Sequence, residues 1–109
     1  MSVKFKIRIN PVAISDVQEI KVYIAEDSPE AAKKIGNLIF TKIEKLADFP
    51  NMGASLSSKI NIKTDYRYLV CGVYLIFYKI EGEFISVNRV LNGMRDYLSI
   101  LFSDALTKD

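Results

Sequence analysis

The side chains best suited to chemistry in this chain are basic and aromatic, and they lie in its second half. Arg67, Arg89, Arg95 and Tyr97 belong to one stretch, residues 66–97, and Lys63 comes just before it. The arginine fork matches the oxygens of phosphates and carboxylates. Arginine cannot serve as a general base, because its pKa is so high that the side chain stays protonated. The face of a tyrosine ring can stack on an exposed nucleic-acid base. The stretch therefore predicts a surface that binds phosphate or protein.

Two absences limit the chemistry further. The 109 residues contain no histidine, and Cys71 is the only cysteine. These facts exclude histidine-ligated zinc, an internal disulfide, a cysteine-based metal cluster and nucleophile pairs of the Ser-His or Cys-His type. Proton transfer near neutral pH would need a Lys, Tyr, Asp or Glu with a shifted pKa. We expect neither a metal nor a cofactor.

The totals predict one domain, residues 1–109, with an ordinary globular balance. Half of the residues are hydrophobic, 26% are charged, and the net charge of +2 is too small to indicate nucleic acid by itself. The longest apolar runs are far shorter than the roughly 18–20 residues of a membrane span. The amino-terminal residues do not resemble a signal peptide. We therefore expect a cytoplasmic protein that does not bind a membrane.

The first half predicts a strand and two helices. Residues 3–9 alternate between apolar and basic side chains, as in a half-buried strand. Asn10-Pro11 and Ser28-Pro29 each form a helix-start signature, with a capping side chain before proline at the first helical position. In the first helix the apolar stripe leaves the carboxylates outside it, and the second helix carries a longer stripe. The first stripe is Ala13, Val17, Ile20 and Ile24, with Asp16, Glu19 and Glu26 off it, and the second is Ala32, Ile35, Ile39, Ile43 and Leu46.

The join between the helices is short, so they should form an antiparallel hairpin. The first helix should end near Asp27. Residues 49–58 are rich in turn formers and predict the main loop. The alternation in residues 59–63 indicates the start of a strand.

Residues 66–91 predict an antiparallel meander. Three segments of β-branched and aromatic residues are separated by Cys71-Gly72 and Glu81-Gly82, which are turn signals. The turn at Asn92-Gly93 precedes a short terminal helix. The fold class is therefore α+β: an N-terminal strand, a helical hairpin packed on a three- to four-stranded antiparallel sheet, and a short C-terminal helix, with the opposite sheet face left open.

Motifs along nearly the whole chain resemble, in the right order, the RelE/ParE superfamily of toxins from type II toxin–antitoxin modules. The segments that carry the resemblance are Asn10-Pro11-Val12-Ala13, Asp27-Ser28-Pro29-Glu30-Ala31-Ala32, Leu46-Ala47-Asp48-Phe49-Pro50-Asn51-Met52-Gly53, Tyr66-Arg67-Tyr68-Leu69 and Arg89-Val90-Leu91-Asn92-Gly93-Met94-Arg95-Asp96-Tyr97. The last of these is more similar to the ParE branch.

The resemblance implies a growth-inhibiting protein of a plasmid-stabilisation type of module, neutralised by a cognate antitoxin. RelE-like members cut mRNA on the ribosome, whereas ParE-like members inhibit DNA gyrase. A third interpretation is a non-toxic remnant that still binds the antitoxin. Whether the protein is an enzyme therefore depends on the branch.

For a nuclease, the resemblance places Arg67, Lys63 and Tyr97 in the catalytic site. The candidates for binding a target or an antitoxin are Arg67, Arg89, Arg95 and Tyr97. Three of these residues have a structural alternative: Arg67 bonded to backbone or to helix carboxylates, Arg89 neutralising a half-buried carboxylate or turned outward by a bulge at a strand end, and Tyr97 packed against the sheet. Asn92 stands where many relatives have histidine, and a neutral amide cannot transfer a proton at ordinary pH. We expect the antitoxin to meet the arginines at the open sheet face and the C-terminal turn.

Overall fold

A computed structural model describes residues 4–102 of the chain. Four helices and five strands alternate irregularly along it. In chain order these elements are β1 (Lys6–Ile9), α1 (Pro11–Ala25), α2 (Pro29–Lys45), β2 (Ala54–Ser55), α3 (Leu56–Ile60), β3 (Arg67–Cys71), β4 (Tyr74–Glu81), β5 (Phe84–Asn92) and α4 (Tyr97–Leu101). The predicted α+β class is confirmed. The start of the first predicted strand, Val3, lies outside the described residues.

The two long helices begin where the sequence predicts. The Asn10 side chain accepts a hydrogen bond from the Val12 N–H at 2.8 Å, and the Ser28 hydroxyl accepts one from the Ala31 N–H at 3.1 Å. Proline occupies the first helical position in each case. These caps satisfy N–H groups that have no partner within the helix, so the starts of α1 and α2 are fixed locally.

The strands form one mixed sheet in the order β1-β5-β4-β3-β2. β1 lies parallel to β5, and every other neighbouring pair is antiparallel. Gly72 and Gly82 open the two hairpin turns with φ of +62° each, a conformation that glycine adopts without steric cost. The predicted meander is thus present, and β1 and the two-residue β2 extend it to five strands.

The helical hairpin covers one face of the sheet, which we call the inner face. The main core lies between them, and the predicted stripes supply its helical side. Its fully buried members include Ala13, Val17, Ile39, Ile43 and Leu46 from the hairpin and Ile76, Tyr78, Ile85, Val87 and Val90 from the strands. Ile20, Ile24 and Ile35 are partly buried against this cluster.

The opposite, outer face is not open as predicted. α3 and α4 cover part of it and enclose a second cluster of Leu56, Tyr66, Leu75, Phe77 and Leu91. The rings of Tyr66 and Tyr97 flank Phe77 at centroid distances of 6.4 and 5.2 Å. The predicted short C-terminal helix is present as α4, but α3 was not predicted, because its five residues give no clear helical periodicity.

The strand predicted to begin at residues 59–63 is wrong. Lys59 and Ile60 end α3, and Asn61 follows in the left-handed conformation with φ of 57°. Asparagine tolerates this region better than most residues, and here it terminates the helix. The sequence here resembles a strand only because Ile60 and Ile62 are two residues apart and alternate with polar residues.

A bulge in β5 interrupts the alternation of side chains between Val87 and Arg89. Phe77 pairs with Arg89 and Tyr78 pairs with Val87, which leaves Asn88 as the extra residue. A bulge reverses the side-chain alternation beyond it. Val87 therefore belongs to the main core, whereas Leu91 belongs to the second cluster.

Candidate functional site

Arg89 is held in a bidentate ion pair with a carboxylate of α1. Its Nε and one terminal nitrogen each lie 2.8 Å from the oxygens of Asp16, and Asp16 also accepts the Val90 N–H at 2.9 Å. β1 makes its last pair with β5 at Val87, so Asp16 occupies the strand edge beyond that point. The structural interpretation of Arg89 matches this geometry. Asp16, which the sequence pattern puts outside the apolar stripe of α1, is buried, with only 7% of it exposed.

Arg67 binds the backbone of the loop after α2. Its Nε and a terminal nitrogen donate to the Gly53 carbonyl at 3.1 and 2.7 Å, and the terminal nitrogen also reaches the Asn51 carbonyl at 3.4 Å. These bonds occupy much of the fork that would otherwise hold a phosphate. The side chain remains half-buried beside the loop.

Tyr78 completes the attachment of this loop, residues 50–53, which we call the clamped loop. The Tyr78 hydroxyl donates to the Pro50 carbonyl at 2.8 Å and accepts the Gly53 N–H at 2.9 Å. A Cβ on Gly53 would lie 2.6 Å from the Tyr68 carbonyl oxygen and 2.7 Å from the Tyr78 hydroxyl. Glycine is thus required at this position by close packing.

The three residues predicted for a nuclease do not share a site. Arg67 pairs across the sheet with Tyr78, which belongs to the inner core, whereas Tyr97 packs on Phe77 in the outer cluster. Phe77 and Tyr78 are consecutive in β4 and point to opposite faces. Lys63 is exposed in the segment between α3 and β3. Arg67 and Tyr97 are therefore separated by the sheet.

Arg95 is the predicted binding residue that remains exposed. It lines a cleft of about 320 Å³ between α1 and the turn after β5, which we call the α1–β5 cleft. The cleft combines one basic side chain with carboxylate, amide and phenol groups. Its other lining residues include Asp16, Glu19, Tyr23, Tyr74 and Asn92. Because Asp16 is neutralised by Arg89, the exposed charges that face a ligand here are those of Glu19 and Arg95.

Asn92 shapes the turn that presents Arg95. Its side-chain oxygen accepts the Met94 N–H at 2.8 Å, and its carbonyl accepts the Arg95 N–H at 3.0 Å. The residue that stands in place of a histidine therefore has a structural task. Asp16 and Tyr23 were not predicted as cleft residues. Ala13 belongs to the buried stripe of α1, and Asp16 follows it by three residues, a spacing that places both on the same side of the helix and could have indicated Asp16.

The shifted pKa values belong to structural groups. The hydrogen bond to Asp16 raises the pKa of Arg89 above its ordinary value and keeps it charged. Burial raises the pKa of the Cys71 thiol, and burial together with the nearby Tyr23 raises that of the Tyr74 phenol. A raised pKa makes both acids less reactive at neutral pH. Among residues 4–102, no group of acidic, histidine or cysteine side chains is arranged to hold a metal ion.

A family model for the ParE toxin of the type II toxin–antitoxin system parDE matches residues 7–97. The chain belongs to the ParE toxin family. The match includes β1 except Lys6, both long helices and the whole meander, and it ends at Tyr97, the first residue of α4. The ParE-like ending noted in the sequence, residues 89–97, falls within it.

Two solved structures share this ParE-family fold. A chain from the chromosomal ParDE toxin–antitoxin system of P. aeruginosa is 21% identical, with a TM-score of 0.68 over 84% of this chain and 98% of that chain. A chain from the RelBE2 toxin–antitoxin complex of Mycobacterium tuberculosis is 16% identical, with a TM-score of 0.54 over 83% of this chain and 99% of that chain. A search of curated protein sequences finds no significant match.

No helix within residues 4–102 combines the length and the apolar character that crossing a bilayer requires.

Proposed function

We propose that this ParE-family toxin arrests bacterial growth by binding DNA gyrase, and that a cognate antitoxin neutralises it. The observation that carries the proposal is the separation of Arg67 from Tyr97 by the sheet, with Arg67 engaged by the clamped loop. RNA cleavage needs an acid, a base and a cation gathered around one phosphate. Inhibition by binding needs only an accessible surface.

The α1–β5 cleft is the surface that we assign to protein binding. Arg95 is exposed at its rim, and the exposed side chains of Tyr23 and Met94 stand nearby along α1 and the turn, 72% and 92% exposed. Arginine, tyrosine and methionine are enriched at protein interfaces because they combine apolar area with polar or charged groups. Arg67 and Arg89, which the sequence also offered to the antitoxin, are occupied by internal partners.

Charge reversal at Arg95 tests the antitoxin part of this proposal. We expect Arg95→Glu to weaken binding of the cognate antitoxin by at least about tenfold, since a charge complementary to the partner becomes repulsive. Lys45→Glu, an equal charge reversal near the end of α2, is the matched control and should change the affinity little. Titration calorimetry of both variants measures this, and equal affinity for Arg95→Glu and the parent would contradict the assigned surface.

A supercoiling assay with purified DNA gyrase tests the target. We expect the parent protein to inhibit supercoiling in a concentration-dependent way and an excess of antitoxin to relieve the inhibition. Gyrase that remains fully active at a high molar excess of toxin would refute the gyrase target. In a translating extract, the appearance of new mRNA ends in codon register would instead favour a ribosome-dependent endonuclease.

A further inference from the structure

The part of the outer sheet face that α3 and α4 leave uncovered carries basic side chains together with the exposed carboxylates Glu81 and Glu83. Two of these basic residues lie level with each other on neighbouring strands of β5, because Arg8 of β1 and Lys79 of β4 both pair with Ser86 of β5. Adjacent strands lie about 4.8 Å apart, so the two basic residues start about 10 Å from each other on one face. A cavity of about 350 Å³ lies here; its lining includes the two cations Arg8 and Lys79, the carboxylate Glu81, and the polar side chains of Ser86 and Asn88.

The basic row continues across the sheet toward α3. Lys79 lies over the Tyr66 ring with its Nζ 4.5 Å from the centroid, and Lys59 of α3 lies over the Tyr68 ring at 5.1 Å. Tyr66 and Tyr68 are two residues apart along one chain, a step of about 6.6 Å in extended backbone. We call Arg8, Lys79 and Lys59 the outer basic track.

The cations of this track are positioned by rings more than by carboxylates. Arg8 stacks on Phe84 with its Cζ 4.2 Å from the centroid, and its carboxylate contact, to Glu81, is 3.7 Å long with both side chains more than half exposed. Neither Lys79 nor Lys59 has a carboxylate within salt-bridge distance in the described part of the chain. An exposed ion pair of this kind contributes about 0–1 kcal/mol, so it does not prevent Arg8 from binding another anion.

We propose that the outer basic track binds the phosphate backbone of single-stranded nucleic acid. The argument is one of charge complementarity: three cations that follow one another across one sheet face match a polymer that carries one charge per residue. Between them, the Ser86 hydroxyl accepts from Arg8 at 3.3 Å, and the Asn88 amide donates to the Tyr66 hydroxyl at 3.3 Å. Sheet faces that combine basic and aromatic side chains accommodate single strands laid across them, whereas reading a duplex groove needs a projecting helix or ribbon. This inference does not depend on the gyrase target.

Fluorescence anisotropy with a labelled 20-nucleotide single strand tests the proposal on the whole protein. We expect binding of the parent protein to weaken with added salt, and the double variant Arg8→Gln/Lys79→Gln to bind about 10- to 30-fold more weakly near 0.1 M salt. The slope of log affinity against log salt should fall by about 1.4, the value for two lost phosphate contacts on a single strand. The single variant Lys79→Arg, which keeps the charge, should retain most of the affinity.

The matched control is Lys33→Gln/Lys34→Gln, which removes two exposed basic residues from α2 on the other side of the sheet. It should leave affinity and salt slope nearly unchanged. Equal losses in the two double variants, or no binding by the parent, would overturn the proposal. Tighter binding to a duplex would refute the preference for single strands, and tighter binding to polyglutamate with the same dependence on Arg8 and Lys79 would assign the track to an acidic protein instead. Gyrase inhibition is measured separately, so failure of one proposal leaves the other intact.

Discussion

At the scale of single residues, Asp16 has the most consequential position. It is a buried carboxylate that satisfies three donors, two from Arg89 and one from the Val90 backbone. It thereby joins α1 to β5 at the point where β1 no longer pairs with that strand. A buried charge of this kind is costly when its partner is removed, because the remaining charge stays desolvated.

We expect Asp16→Asn to lower the free energy of unfolding by about 2–4 kcal/mol, since Arg89 would keep its charge without a counterion. Urea denaturation measures the change. Glu19→Gln, which removes an exposed carboxylate from the same helix, is the matched control and should change stability by less than about 0.5 kcal/mol. Equal losses in the two variants would show that the ion pair contributes nothing. The double variant Asp16→Asn/Arg89→Met should lose less than the sum of the single changes.

The buried thiol of Cys71 should make the free energy of unfolding depend on pH in the alkaline range. Burial raises the pKa of its thiol above the ordinary value of 9.0, so the unfolded chain ionises first as the pH rises. Ionisation of this thiol therefore leaves the free energy of unfolding unchanged below about pH 9 and lowers it above that pH. We expect the stability of Cys71→Ala relative to the parent to improve between pH 7 and pH 10. A difference that stays constant over this range would contradict the shift.

At the scale of elements, the clamped loop connects the helical hairpin to the meander. Arg67 and Tyr78, from two adjacent strands, bind its carbonyls, and the Gly53 N–H completes the set. A residue that the family resemblance offers to catalysis thus has a structural task in this chain. The loop is fixed although it lies at the surface, where Phe49 and Met52 remain exposed.

We expect Gly53→Ala to destabilise the protein by about 2–3 kcal/mol, because its Cβ would collide with the backbone oxygen of Tyr68, which cannot move freely. Gly36→Ala is the matched control. Its Cβ would meet the flexible Lys21 side chain at 3.0 Å within a helix, where alanine is favoured over glycine by about 0.5–1 kcal/mol. Thermal unfolding of both variants measures the contrast, and a stable Gly53→Ala protein would mean that the loop relaxes easily.

The elements also show what the sequence could predict. The stripes of α1 and α2, their Asn10 and Ser28 caps and the glycine turns are local signals, and each element that they predicted is present. The bulge at Asn88 and the helix α3 depend on contacts between distant segments, such as the bond from the Leu56 N–H to the Tyr66 carbonyl. The candidate site was harder still, because the partners of Arg67 and Arg89 are 14 and 73 residues away in sequence.

At the scale of the whole molecule, the sheet separates the two proposed binding surfaces. The inner face is filled by the hairpin, and the α1–β5 cleft opens at its edge with Arg95 at the rim. The outer face carries the apolar cluster covered by α3 and α4, and beside it the outer basic track. Arg67 and Tyr97, which the resemblance assigns to a nuclease site, lie on different sides of this sheet, and this supports the proposed action by binding.

The central claim is tested most directly by inducing the protein in bacteria without its antitoxin and following a reporter plasmid and cellular mRNA in the same culture. We predict growth arrest with loss of negative supercoiling in the plasmid and no new mRNA ends in codon register. Growth arrest with unchanged plasmid topology and codon-register mRNA cleavage would contradict the account.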